Sequence, residues 1–129
     1  MCDLMKSNIY EFPETIIICG SCLSRMQPQG FNDLKKITDH IYGVCLEEIH
    51  MNMVTHKIAS IIRVGKARKI IFASVDGSPH CVQLHYIANE LRKIMNLEAI
   101  EITNMVIVQN KLVEISEEAI SRSKKLACL

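Results

Sequence analysis

Cys19 and Cys22 stand on either side of Gly20-Ser21 at the end of an apolar run, "IIICGSC". A thiol pair at that spacing suits three chemistries. It can hold a soft metal, exchange with a disulfide, or place a nucleophile in an oxyanion-binding loop. Two more thiols, Cys45 and Cys81, follow later apolar runs, with His80 beside Cys81 and His85 four residues beyond it. A Cys-x-x-Cys pair with a third cysteine and a fourth Cys or His is what a tetrahedral zinc or an iron–sulfur cluster requires. The candidate ligands are Cys19, Cys22, Cys45 and Cys81, with His80 or His85 binding directly or tuning the ligands from behind. Cys2 and Cys128 lie at the chain ends and receive no role.

The other two chemistries use fewer of these residues. As a dithiol, Cys19-Gly20-Ser21-Cys22 resembles the Cys-Gly-Pro-Cys of thioredoxins, but Pro28 and Gly30 interrupt a helix begun at Cys22. Cys19 and Arg25 also fit the Cys-x5-Arg loop of low-molecular-weight tyrosine phosphatases and arsenate reductases. There the cysteine attacks while the arginine holds the oxyanion. Met26 replaces the Ser or Thr expected after that arginine, and no Asp-Pro general acid follows near the C-terminus. The bland alternative needs no chemistry. Cysteine is among the most buried residue types, so Cys45 alone reads as packing, and His50 and His56 read as surface groups.

Whether the thiols can meet depends on the elements that carry them. Thr15–Cys19 reads as a buried parallel strand between Pro13 and Gly20. A loop holding Pro28 and Gly30 follows, then a short helix with Phe31, Leu34 and Ile37 at intervals of three. Ile41–Leu46 reads as a second strand, with a helix continuing from Asn32 as the competing reading, which Gly43 disfavours. Met51, Val54, Ile58, Ile61 and Ile62 form one helical stripe between His50 and Val64, stopped by Gly65. "KIIFASV", Lys69–Val75, is a third strand. Asp76-Gly77 then makes a turn, and Ser78 and Pro79 are suited to open a helix bearing Leu84, Ile87, Ala88, Leu91 and Met95. "EAIEI", Glu98–Ile102, reads as a fourth strand. "MVIVQNKLVEI" reads as an edge strand or hairpin turning at Asn110-Lys111, and Ser116 caps a last helix stapled by Ile115 and Ile120.

Composition narrows the class. The chain of 129 residues fits one domain, with residues 1–13 as an N-terminal extension. Its 15 Lys and Arg against 14 Asp and Glu leave no electrostatic footprint for nucleic acid or an acidic membrane. No run approaches the ~20 apolar residues of a membrane span, and the first residues lack a secretory apolar core. The expected setting is cytoplasmic, where six cysteines do not make a disulfide framework. Five glycines, none in a Gly-x-Gly-x-x-Gly array, speak against a dinucleotide site.

Strand–helix alternation implies an α/β layered fold, Rossmann- or flavodoxin-like, with a mostly parallel sheet of four to five strands flanked by helices. Parallel strands would carry Cys19, Cys22, Cys45 and Cys81 to one sheet edge, the carboxyl edge where such folds bind ligands. The stretch "VGKARKIIFASVDGSPHCVQLHYIANELRKIM" resembles a segment of the small delta-type iron–sulfur subunit of methyl-viologen-reducing hydrogenases. His85-Tyr86 is kept, while the family's cysteine-rich turn retains only Cys81 at a shifted position. The resemblance implies a cluster-binding electron-transfer module docked to a larger redox protein. The sequence thus leads to a metal-binding protein, most concretely iron–sulfur, with zinc or no cofactor as alternatives. Its enzymatic status is open, and a homo-oligomer is allowed.

Overall fold

The strand that ends in the thiol pair is the middle of the sheet. This strand, β2, is Thr15–Gly20, and its residues are apolar on both parities, as a strand covered on both faces requires. Ile16 and Ile18 turn to one face, Ile17 and Cys19 to the other, and all four are fully buried. The computed structural model describes residues 2–8, 13–65, 67–76 and 82–120. In it β2 pairs in parallel with β3, Ile41–Val44, on one side and with β4, Lys69–Val75, on the other. Beside β4 runs β5, Glu101–Val108, also parallel, and β6, Lys111–Ile115, returns antiparallel to it. On the far side of β3 lies β1, Cys2–Asp3, giving the order β1-β3-β2-β4-β5-β6.

Helices cover both faces. Leu23 of α1 (Leu23–Met26) and Phe31 and Leu34 of α2 (Pro28–Lys35) pack against Ile17, Cys19, Ile71 and Ile107. On the other face, Val54, Ile58 and Ile61 of α3 (Met51–Val64) and Leu84, Ile87 and Leu91 of α4 (Gln83–Ile94) pack against Ile16, Ile18, Ile70 and Phe72. The expected α/β layers and mostly parallel sheet are therefore present. Ile41–Val44 is a strand, and the competing helix does not form there.

The second strand ends at Val44 instead of Leu46, which leaves Cys45 beyond it, and five further details differ from the sequence reading. First, the sheet has six strands, because the stretch expected as an extension supplies β1. Leu4, in the 3-10 turn that follows, is fully buried, and Lys57 of α3 donates to the carbonyl of Ser7. A two-residue strand offers no periodicity to read. Second, Pro28 opens α2 instead of sitting in a loop, as its fixed φ allows at a first helical position. The interruption expected after Cys22 does occur, at Gln27 between the two short helices. Third, Ile37 lies beyond α2 and is 42% exposed.

Fourth, β5 begins at Glu101, since a turn in which Ile100 N–H donates to the Leu97 carbonyl occupies the preceding residues. Fifth, the hairpin turns at Gln109-Asn110, one residue earlier than expected, with φ of 50° and 62°. Those angles suit a two-residue connection between twisted strands. At the last helix, Ser116 Oγ accepts from Ala119 N–H at 3.1 Å, the cap that its position implied. The Ser78-Pro79 start expected for α4 lies outside the described residues.

The hairpin turn is docked onto the start of α2. Asn110 N–H donates to Gln27 Oε1 at 2.9 Å, and Asn110 Oδ1 accepts from Gly30 N–H at 3.5 Å. Gly30 is buried in that contact, and a Cβ there would lie 2.5 Å from Ile107 Cγ2. Alanine at this position would gain about 1 kcal/mol of helix propensity. The clash with a branched, fully buried side chain outweighs it. Gly30→Ala is expected to lower stability by about 1–3 kcal/mol in urea unfolding, contrary to its effect in an exposed helix.

Candidate functional site

The chain leaves β2 toward β3, then crosses back past β2 to reach β4, so the order of connection reverses at β2. Loops that lead to opposite faces of the sheet part at such a point and leave a crevice over the carboxyl ends. A cleft of about 370 Å³ lies there. The loop after β2 contributes Ser21 and Cys22, α1 contributes Arg25, the loop after β3 contributes Cys45, Glu47 and Glu48, and Leu84 of α4 forms a wall. Both cysteines are partly exposed. Two of the four expected thiols, Cys22 and Cys45, therefore line one cleft, each just beyond the end of a neighbouring parallel strand.

Cys19 does not join them. The pleat sends it to the α1/α2 face, where it is fully buried with Ile17, Leu23, Phe31 and Leu34. This corrects three expectations at once. As a metal ligand Cys19 is walled off from the cleft. As one half of a redox dithiol it presents no sulfur surface to a disulfide. As the nucleophile of a Cys-x5-Arg loop it would need to stand in the loop, yet it is the fifth residue of the strand. Arg25 lines the cleft with Cys22 instead. Among the described residues, no three His, Cys, Asp or Glu side chains are grouped closely enough to hold a metal ion. Cys81 and His80 lie outside the described residues, as does Cys128.

Cys2, close to the chain end, does have a place in the sheet. Strand β1 sets it beside β3, where it is exposed and borders a second groove with Ser21, Cys45 and Glu48.

His85 is neither at the cleft nor available to a metal. It projects from the first turn of α4 onto the sheet and is 1% exposed. Its Nε2 lies 2.7 Å from Ser74 Oγ of β4, and its Nδ1 lies 2.9 Å from Asn104 Oδ1 of β5. An amide oxygen only accepts, so the ring proton sits on Nδ1 and donates to Asn104. Nε2 of the neutral ring then accepts the Ser74 hydroxyl. Burial pushes the imidazole below the ordinary histidine value, and the hydrogen bond with Asn104 opposes that shift.

Hydroxyl, base and orienting amide in this order are the parts of an activated nucleophile. Here all three side chains are sealed, with Ser74 at 1% and Asn104 at 3% exposure, and no substrate reaches them. The arrangement is a satisfied polar network within the core. Sequence reading missed Ser74 and Asn104. Their signal was parity: each is a polar residue in an apolar strand, on the face that also receives Phe72 and Ile102.

The family model of a Rossmann-like domain matches residues 13–127. The chain belongs to this family. No characterised protein and no solved structure matches it significantly. The layered sheet, the reversal at β2 and the cleft above it are what a Rossmann-like domain offers a ligand. No helix among the described residues is long and apolar enough to cross a membrane.

Two outcomes follow. Under native conditions a maleimide is expected to label Cys22 and Cys45 of this Rossmann-like domain, and Cys19 only after unfolding, as peptide mass spectrometry would report. Replacing His85 by Leu leaves two buried polar groups without their partner, at about 1–3 kcal/mol each. The combined Ser74→Ala/His85→Leu/Asn104→Leu variant should be far less destabilised than the sum of the single changes, measured by denaturant titration.

Proposed function

We propose that this Rossmann-like domain binds a soft metal, most concretely an iron–sulfur cluster, in the cleft over the carboxyl ends of β2 and β3. One observation carries the reading: Cys22 and Cys45, which are 23 positions apart, line the same cleft. Thiolate ligands favour zinc, copper(I) and iron–sulfur over hard cations. A further ligand comes from the segment before α4. Cys81 stands three positions ahead of Leu84, which walls the cleft, and three residues span at most about 10 Å. The proposed set is Cys22, Cys45 and Cys81, with His80 beside Cys81, and Cys19 and His85 are withdrawn from it.

A cluster held there would supply one-electron transfer. The protein's part would be to fix the thiolates, keep Arg25, Glu47 and Glu48 around them, and leave the cleft open toward a larger redox partner. The likeness of the β4–α4 stretch to delta-type hydrogenase subunits accords with this role. Zinc in the same thiolates is the second reading, and the donor set supports it equally.

Elemental analysis of anaerobically purified protein tests both. Iron with acid-labile sulfide and visible absorbance is expected for a cluster, and colourless protein with one equivalent of zinc for the second reading. Cys22→Ser, Cys45→Ser and Cys81→Ser should each lower metal content at least about fivefold, while Cys19→Ala should retain it. Metal-free wild-type protein, or equal loss in Cys19→Ala, would overturn the proposal.

A further inference from the structure

The buried histidine joins three elements that a single protonation can uncouple. His85 sits in the first turn of α4, one residue after Leu84, and its two ring nitrogens reach β4 and β5 through Ser74 and Asn104. Leu84 belongs both to the core beneath α4 and to the wall of the thiol-lined cleft. Whatever fixes the first turn of α4 therefore also fixes that wall.

Among the described residues, the groups named around the ring offer no counter-charge. From β4 it meets Ser74 and from β5 Asn104, both neutral. The buried residues of α3, which packs on α4, are Val54, Ile58, Ile61 and Ile62, and α4 itself adds Leu84, Ile87 and Ala88 to that core. None of these is titratable. A second ring proton could still be hydrogen-bonded, by rotation of the Ser74 hydroxyl so that it accepts. The imidazolium would nonetheless stand in the core with no carboxylate partner among the described residues, which is the costly arrangement. Leaving the sheet for water relieves it.

We propose that the Ser74–His85–Asn104 network is a proton-sensitive latch that holds the first turn of α4 to the sheet and releases it when His85 becomes doubly protonated. Release swings Leu84 away and widens the cleft on the α4 side. The direction follows from linkage. The ring is held below its ordinary value of 6.5 in the closed form, so the open form binds more protons. Closure is at full strength above that ordinary value. It weakens as pH falls below it, by at most about tenfold per pH unit, until the lowered value of the closed form is reached.

The latch does not depend on what occupies the cleft, and it is read in metal-free protein. Amide hydrogen exchange, corrected for intrinsic rates, is followed at residues 85–88 between about pH 7.5 and about pH 5.5, with β2 and β4 amides as internal reference. The expected result is a loss of protection at 85–88 approaching about tenfold, with the strands unchanged. His85→Gln should abolish this pH dependence. Asn104→Asp places a carboxylate against the ring and should keep 85–88 protected at the lower pH. Three results would overturn the latch: constant protection at 85–88 in the wild type, parallel loss in helix and strands, or an unchanged pH profile in either variant. Because wild type and Asn104→Asp each decide the matter, a poorly folding His85→Gln protein leaves the test intact.

Discussion

The pleat of β2 governs how this molecule distributes its chemistry. A strand covered on both faces must send alternate side chains into two separate cores, and β2 does so with four fully buried residues in succession. Its neighbours obey the same alternation: Ile70 and Phe72 of β4 go with Ile16 and Ile18, and Ile71 and Ala73 go with Ile17 and Cys19. A thiol on such a strand is committed to one core by parity alone. A thiol in the loop beyond is not. Cys19 and Cys22 are three residues apart, yet one is core and the other lines a cleft.

Much of the fold was legible because its strands are short, apolar and bounded. Lys69–Val75 was readable residue for residue, and the stripe of α3 and the cap at Ser116 carried their own signals. What escaped reading depended on partners far away in the chain. Pro28 and Gly30 look like loop residues until Ile107 and Asn110 are in place around them. Strand β1 exists because β3 offers it an edge, and nothing within Cys2-Asp3 announces it.

The candidate site was half legible for the same reason. Parallel pairing sets Cys22 and Cys45 along one cleft, since both follow strand ends. The sequence reading treated the Cys-x-x-Cys spacing as one unit and overlooked which side of the sheet each residue faces. It also counted His85 among the ligands, four residues beyond Cys81. Ser74 and Asn104 claim both of its nitrogens, and only their position on the α4 side of the sheet could have revealed that.

The bond from Asn110 to Gly30 spans 80 residues and bears on the order in which the chain acquires structure. Helix α2 is eight residues long, too short to persist in water by itself. Its first turn receives a hydrogen-bond acceptor, and its glycine a neighbouring side chain, only once the final hairpin has closed. During synthesis the α3/α4 layer can therefore assemble on β2 and β4 before the opposite layer receives its last contacts from Ile107 and Asn110. A nascent chain arrested before residue 105 would lack Ile107 on the Ile17 and Cys19 side of the sheet and would leave the Gly30 N–H without its Asn110 acceptor.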